Sequence, residues 1–416
     1  MLDIKLLREQ PEVVKKALRK KHVDPVTVDN LLSLDAEKRL LTAEIEDLAA
    51  KKNRASKEMP KLKDEAKAKM LVEMQFVKER LAELEPKAKK IEDEIDGLLL
   101  SLPNPPLEDV PEGVSDADNK VVRTVGKMPK FSFEPLDHIA LGKKLDVIDV
   151  ESGAATSGTR FYYLKNDAVA WEFALVQFVL SKLRAKDFSP VIPPVLVKER
   201  AMFGTGFFPA DRNEIYHVNP EDDDLYLAGT AEVPLCMMYA DKIIPAAELP
   251  KRFVGFSTCF RREAGSYGKD THGILRVHQF DKLEMFSFCH PDRSHEEHDF
   301  LLSMEEEIMQ DLGLHYQVVN ICGGDLGAPA AKKYDVEVWI PSQKRFRELT
   351  SCSNCTDFQA RRCNIRYKDE KGNHMVHTLN GTAVAMSRMI IALMENYQQK
   401  DGTIKMPKCL EPYLMR

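Results

Sequence analysis

The stretch Phe260-Arg261-Arg262-Glu263-Ala264-Gly265, continuing through His272 to Arg276-Val277-His278-Gln279-Phe280-Asp281-Lys282-Leu283-Glu284-Met285-Phe286, reads as two strand-like runs around a loop. The loop carries Gly265, Gly268 and Gly273 together with Arg262, Lys269 and His272. In the second run Arg276, His278, Phe280, Lys282 and Glu284 fall on one face at period two. A face with arginine, an aromatic ring and a carboxylate is ill suited to an apolar core. Two readings stay open: an exposed strand face with ordinary ion pairs, or a surface for a polyanion with a flat base. In the second, arginine meets phosphate, phenylalanine stacks, and glutamate takes an ammonium group.

The surrounding chain predicts α+β architecture. Short β-type runs cover 253–260, 276–288 and 336–340. A helix starts near Trp171 and runs towards Lys186, an extended segment follows at 189–197, and a last helix covers 384–397. Helices that do not strictly alternate with strands favour an antiparallel sheet over a doubly wound one. No G-x-x-x-x-G-K-[ST] occurs, and no G-x-G-x-x-G follows a strand, so P-loop and Rossmann chemistry are set aside.

The first hundred residues follow a different rule. Leu31, Leu34, Leu41, Ile45, Leu48 and Ala55 fall on a heptad, interrupted at Lys38 and Lys52. Met70, Met74, Val77, Leu81, Leu84, Ala88, Ile91, Ile95, Leu98 and Leu102 then alternate steps of four and three. That spacing predicts two antiparallel helices, each about 45 Å long, that reverse at Met59-Pro60-Lys61. Pro86 predicts a kink in the second helix. Residues 51–69 hold eight cations against three anions, a local +5 at the hairpin tip. The tip is either a solvated helix surface or a probe for a phosphate backbone. Pro103-Asn104-Pro105-Pro106 marks a linker, giving domains at 1–105 (hairpin about 28–102) and 106–416.

Composition sets outer limits. A chain of 416 residues, 44% hydrophobic and 30% charged, predicts two or three folded domains and excludes wholesale disorder. Its net charge of −6 means that any nucleic acid must meet a local basic patch. Residues 1–22 lack the apolar run of a signal peptide, and no run elsewhere reaches the ~18 apolar residues of a membrane span. Eight sparse cysteines point to reduced thiols in the cytosol.

The motifs together are specific. The pair Phe260-Arg261-Arg262-Glu263 and Arg276-Val277-His278-Gln279-Phe280 resembles motif 2 of class II aminoacyl-tRNA synthetases. Leu379-Asn380-Gly381-Thr382-Ala383-Val384-Ala385-Met386-Ser387-Arg388 resembles motif 3, and Phe188-Ser189-Pro190-Val191-Ile192-Pro193-Pro194, after the Trp171 helix, resembles motif 1. Thr230-Ala231-Glu232 and the stretch from Arg347-Glu348-Leu349-Thr350-Ser351 to Arg362 are similar to segments of bacterial-type seryl-tRNA synthetases. With the helical arm, the resemblance covers essentially the whole chain.

It implies a class II antiparallel catalytic sheet flanked by helices, with an N-terminal antiparallel coiled-coil arm. It also implies activation of L-serine by ATP with release of pyrophosphate, then transfer to the 3′ end of tRNA(Ser), and of tRNA(Sec) where present. Arg261, Arg276 and Arg388 are the implied catalytic arginines. Arg262, Glu263, Val277, Phe280, Glu348, Leu349, Thr350 and Ser351 complete the implied ATP site, with Glu348 and Ser351 holding Mg²⁺. Thr230, Ala231, Glu232, Arg261, Glu284, Asn380 and Thr382 form the implied serine site. Lys51, Lys52, Arg54, Lys57, Lys61 and Lys63 are the implied tRNA contacts. A cytoplasmic homodimer with tRNA across both subunits is expected, with no membrane association. The Ala383–Ser387 segment departs from the usual motif 3, which leaves the packing behind the hydroxyl site open. One Cys352-x-x-Cys355 pair without a definite fourth ligand predicts no zinc. Two other classes fit parts of the pattern: a paralogue that acylates a carrier protein, which lacks the arm, and a coiled-coil nucleic-acid binder, which leaves the arginines unused.

Overall fold

Asp24 accepts the Val26 amide at 2.9 Å and Pro25 opens the first turn, so α1 (Pro25–Glu58) starts with a side-chain cap and a preset φ. The computed structural model describes residues 1–264 and 272–414; Gly265, Gly268 and Lys269 of the glycine loop lie outside the described residues. The chain divides into two compact units, Leu2–Pro103 and Asn104–Arg416, Met1 belonging with the second.

In the first unit α1 and α2 (Asp64–Ser101) pack side by side and reverse through Met59–Lys61. Leu31, Leu41, Leu48 and Ala55 meet Val77, Leu81, Leu84, Ile91 and Ile95 in the buried seam. Leu34, Ile45, Met70, Met74 and Ala88 stay half-buried. After Ile95 the burial moves to Leu99, one position from the expected Leu98, because a straight helix at 3.6 residues per turn drifts from a 3.5 repeat. Ion pairs flank the seam: Lys38–Glu92 at 2.9 Å, Arg80–Glu44 at 2.8 Å and Lys87–Glu37 at 2.9 Å. Pro86 sits inside α2, which runs without a break from Asp64 to Ser101. Proline removes one hydrogen bond, and the seam residues on both sides remain buried. At the base Arg8 grips buried Asp35 with two hydrogen bonds, 2.7 and 2.6 Å, a clamp that the heptad pattern does not reveal.

The second unit is built on an eight-stranded sheet. Its strands are β1 (Lys120–Val125), β2 (Ser189–Val191), β3 (Lys251–Phe260), β4 (Gln279–Cys289), β5 (Tyr316–Asn320), β6 (Lys332–Ile340), β7 (Arg345–Asn354) and β8 (His377–Ala385). The order is β1-β5-β6-β7-β8-β4-β3-β2, antiparallel throughout except where β2 joins β3. Helices α3 (Asp167–Arg184), α4 (Ser294–Asp311) and α5 (Met386–Tyr397) cover it. α4 lies on β7 and β8, while α5 contacts α3, β4 and β6. Their apolar faces share one core with the sheet, through Leu175, Val179, Leu301, Ile308, Met389 and Leu393. The fold is the expected α+β class.

Several boundaries differ from the sequence reading, among them three around the cleft and the sheet edge. The 276–288 strand begins only at Gln279. His278 gives its amide to the Arg160 carbonyl and Ile274 gives its amide to His138, so this segment is drawn off the ladder. The last helix begins at Met386, because Val384 and Ala385 still pair with Leu283 and Lys282. The 189–197 segment splits into β2, at the sheet edge, and a short strand Leu196–Val197 in a separate small sheet.

Two bulges matter for the site. Val336 faces Thr350 and Glu337 faces Glu348, leaving Leu349 as the extra residue of β7. Leu283 faces Val384 and Glu284 faces Thr382, leaving Ala383 as the extra residue of β8. Each bulge shifts the alternation of its strand by one residue.

Candidate active site

A cleft of ≈ 440 Å³ opens over the centre of the sheet. Arg261, Arg276 and Arg388 all line it, together with Glu263, Val277, Phe280, Glu348, Leu349, Thr350 and Ser351. Thr230, Glu232, Glu284, Asn380 and Thr382 line it too. Two candidates do not: Ala231 is fully buried behind it, and Arg262 bonds through its backbone amide to the Glu214 carbonyl.

The ends of β3 and β4 set the first two arginines. Past the last strand pair, Phe260 with Gln279, Arg261 donates its amide to His278 at 3.0 Å, and the His278 ring bonds the Arg261 carbonyl at 2.9 Å. Arg261 and Arg276 therefore sit at the mouth of the hairpin, not on adjoining strands. The Arg261 guanidinium donates to the Gly229 carbonyl at 3.2 Å and lies 5.3 Å from the centre of the Phe280 ring. Arg276 donates to Glu263 at 2.6 Å. Glu263 has φ 51, a left-handed backbone that a non-glycine residue adopts at some cost and that turns its side chain into the cleft.

Arg388, in the first turn of α5, donates to the Glu348 carbonyl at 2.9 Å and lies 3.3 Å from its carboxylate. Partial enclosure raises the Glu348 pKa, but Arg388, Lys333 and Arg261 outweigh it and hold the group at about 2. Glu348 and Ser351 are three residues apart and would alternate to opposite faces of a regular strand; the Leu349 bulge brings both to the cleft. The Ala383 bulge does the same for Thr382 and Ala385.

Glu232 and Glu284 line the same cleft beside Lys282. Lys282 pairs with Glu284, and the Thr382 hydroxyl donates to Glu284 at 3.2 Å. Burial, then the neighbouring Glu284, push Glu232 up to about 7. Behind the sheet, Glu305 of α4 is buried beneath Gly381 and accepts from Thr350 at 2.8 Å. Burial raises its pKa well above the ordinary carboxylate value.

Sequence reasoning left Lys333, Asp211 and Glu214 out of the site and gave Lys282 no role; all four line the cleft. Lys333 lies 3.0 Å from Asp335, and the period-two pair Lys333, Asp335 in front of an apolar run was the available signal. The tip cations Lys51, Lys52, Arg54, Lys57, Lys61 and Lys63 are exposed in the other unit. The thiols of Cys352 and Cys363 turn to separate partners, the His298 carbonyl and the Met237 sulfur. The described residues hold no group of three or more His, Cys, Asp or Glu side chains able to bind a metal.

An antiparallel sheet with arginines from its hairpin and its last helix meeting in one cleft defines a class II aminoacyl-tRNA synthetase core. Residues 216–397 match the family model of the tRNA synthetase class II core domain (G, H, P, S and T), and residues 1–106 match that of the seryl-tRNA synthetase N-terminal domain. The serine--tRNA ligase of Thermobifida fusca (strain YX) is 46% identical over 415 residues, covering 100% of this chain and 97% of that protein. The crystal structure of seryl-tRNA synthetase from Pyrococcus horikoshii complexed with ATP superposes with a TM-score of 0.95 at 42% identity, over 100% of this chain and 98% of that one. The cytoplasmic serine-tRNA ligase from Naegleria fowleri in complex with AMP gives 0.90 at 34% identity, covering 100% and 97%. The chain belongs to the seryl-tRNA synthetase family. Its activity is that of an ATP-dependent ligase that joins serine to tRNA(Ser).

The approach of Glu305 to Gly381 is testable. A Cβ on Gly381 would lie 2.9 Å from the Glu305 oxygen. Gly381→Ala should lower unfolding stability by about 1–3 kcal/mol in denaturant titration, and an unchanged midpoint would contradict this packing.

Proposed function

We propose that this one cleft activates serine, with the three arginines gripping ATP and the Glu232–Glu284 pair gripping the amino acid. The observation that carries the reading is the meeting of Arg261, Arg276 and Arg388 with the Glu232–Glu284 carboxylate pair in one cleft. A serine carboxylate oxygen forms a bond to the α-phosphorus. The bond from that phosphorus to its bridging oxygen breaks, and pyrophosphate leaves. No protein nucleophile is needed, so rate comes from positioning and charge neutralisation.

Arg261 takes the α-phosphate and the attacking carboxylate. Phe280 stacks on the adenine and Glu263 accepts from its amino group. Arg276 and Arg388 take the outer phosphates. Each guanidinium has five donors, so the bonds to Glu263 and Glu348 leave part of each fork free for phosphate. Val277, Leu349 and Thr350 form the walls.

The cleft lining carries five cations, Arg261, Arg276, Lys282, Lys333 and Arg388, against six carboxylates. A triphosphate entering such a lining calls for further positive charge. The ionised Glu348 carboxylate and the Ser351 hydroxyl are hard oxygen donors on one face, a set that suits Mg²⁺. When bound, the ion supplies charge neutralisation to the phosphates.

On the serine side, Glu284 with Thr230 and Glu232 takes the ammonium group, and Thr382 with Asn380 reads the hydroxyl. A site built to bond a hydroxyl rejects alanine, because its own buried polar groups would be left unpaired. The exposed cations of the helical tip take the phosphates of tRNA(Ser). The molecule works as a cytoplasmic homodimer with tRNA lying across both subunits. Ile192, 84% exposed beside edge strand β2, is the kind of apolar surface that two-fold pairing would cover. Among the described residues no helix is long and apolar enough to cross a membrane.

Two experiments test this. Thr382→Ala should raise the serine KM roughly tenfold or more while moving the ATP KM little; equal effects on both would take Thr382 out of the serine pocket. Deleting 35–97 should leave serine-dependent ATP–pyrophosphate exchange intact and abolish tRNA charging. Normal charging by that variant would refute the role of the arm.

A further inference from the structure

Gln359 lies on the short helix Phe358–Cys363 and is completely buried. Its amide nitrogen donates to Glu232 Oε1 at 2.7 Å and to the Thr205 carbonyl at 3.1 Å. Its amide oxygen accepts from the Thr378 hydroxyl at 2.7 Å. These partners fix its orientation. A flipped amide would set oxygen against the Glu232 carboxylate and the Thr205 carbonyl, both acceptors.

Glu232 opens the helix Glu232–Met237, lines the cleft, and is 7% exposed. We propose that Gln359 is a positioning residue for serine selection, holding the Glu232 carboxylate towards the ammonium group of serine. This rests on the reading of Glu232 as part of the serine site.

The charged groups around Glu232 make the bond consequential. Glu284 of β4 works against its ionisation, while Lys282 of the same strand and Arg261 at the hairpin mouth favour it. Cys236 is the titratable neighbour on its own helix. Burial and Glu284 already bring Glu232 to about 7, and Gln359 is the first of the groups that oppose them. Without that donor the carboxyl group holds its proton to higher pH, and a protonated Glu232 attracts an ammonium group less strongly.

The test uses the full-length enzyme in serine-dependent pyrophosphate exchange. Gln359→Met removes the amide at similar volume. The serine KM should rise roughly tenfold at neutral pH and fall back towards the wild-type value as pH rises, with the ATP KM within about twofold. Thr378→Val, which removes only the orienting hydroxyl, should move the serine KM the same way by a smaller factor. It decides the matter if Gln359→Met does not fold. A wild-type serine KM and pH profile in the folded variant would overturn the proposal. Glu232→Gln separates the two levels. If it raises the serine KM while the Gln359 and Thr378 variants do not, this inference alone falls; if it too leaves the serine KM unchanged, the pocket assignment falls with it.

Discussion

Charges held in a partly enclosed cleft must be countered within it, and here the counter-charges come from the same strand or from an adjoining segment. Arg276 meets Glu263 across the hairpin mouth, Arg388 of α5 meets Glu348 of β7, and Lys282 meets Glu284 along β4. Lys333 meets Asp335 along β6. Removing charge from water costs several kcal/mol per ion unless a partner offsets it. Pairing therefore allows a dense set of cations to sit around one space, and it fixes each head group before any substrate arrives. A guanidinium bonded on one side is oriented on the other, and such preorganisation is what electrostatic catalysis needs.

The sheet makes these pairings possible through its irregularities as much as its regularity. The Leu349 bulge brings Glu348 onto the face of Ser351, and the Ala383 bulge keeps Thr382 opposite Glu284 while Ala385 still reaches the cleft. Gly381, one residue before Thr382, lets the buried acid of α4 come up beneath the strand. The lining of the cleft, strand register and the packing of α4 are thus one problem, solved at β7 and β8.

Much of this was legible in the letters. The period-two face containing Phe280, Lys282 and Glu284 was visible, as were the heptads of Leu31–Ala55 and Val77–Ile95 and the basic tip. These signals survive because they depend on local periodicity. What escaped depends on contacts between distant segments. No pattern in 345–354 announces a bulge, so alternation would have sent Glu348 and Ser351 to opposite faces. The start of β4 was misread by three residues, because His278 is claimed by Arg160, more than a hundred positions away. Gln359 reads as an ordinary helix polar residue until Glu232, Thr205 and Thr378 are seen around it. The Arg8–Asp35 clamp was hidden in the same way, by a partner outside the heptad.

The central claim is that three guanidiniums from the hairpin mouth and α5 grip a single triphosphate. Its most direct test is a crystal structure of this chain with ATP bound. The account predicts phosphate oxygens within hydrogen-bond distance of Arg261, Arg276 and Arg388 together, with the adenine against Phe280. Phosphates resting away from these side chains, with the three arginines still paired only to protein groups, would contradict it.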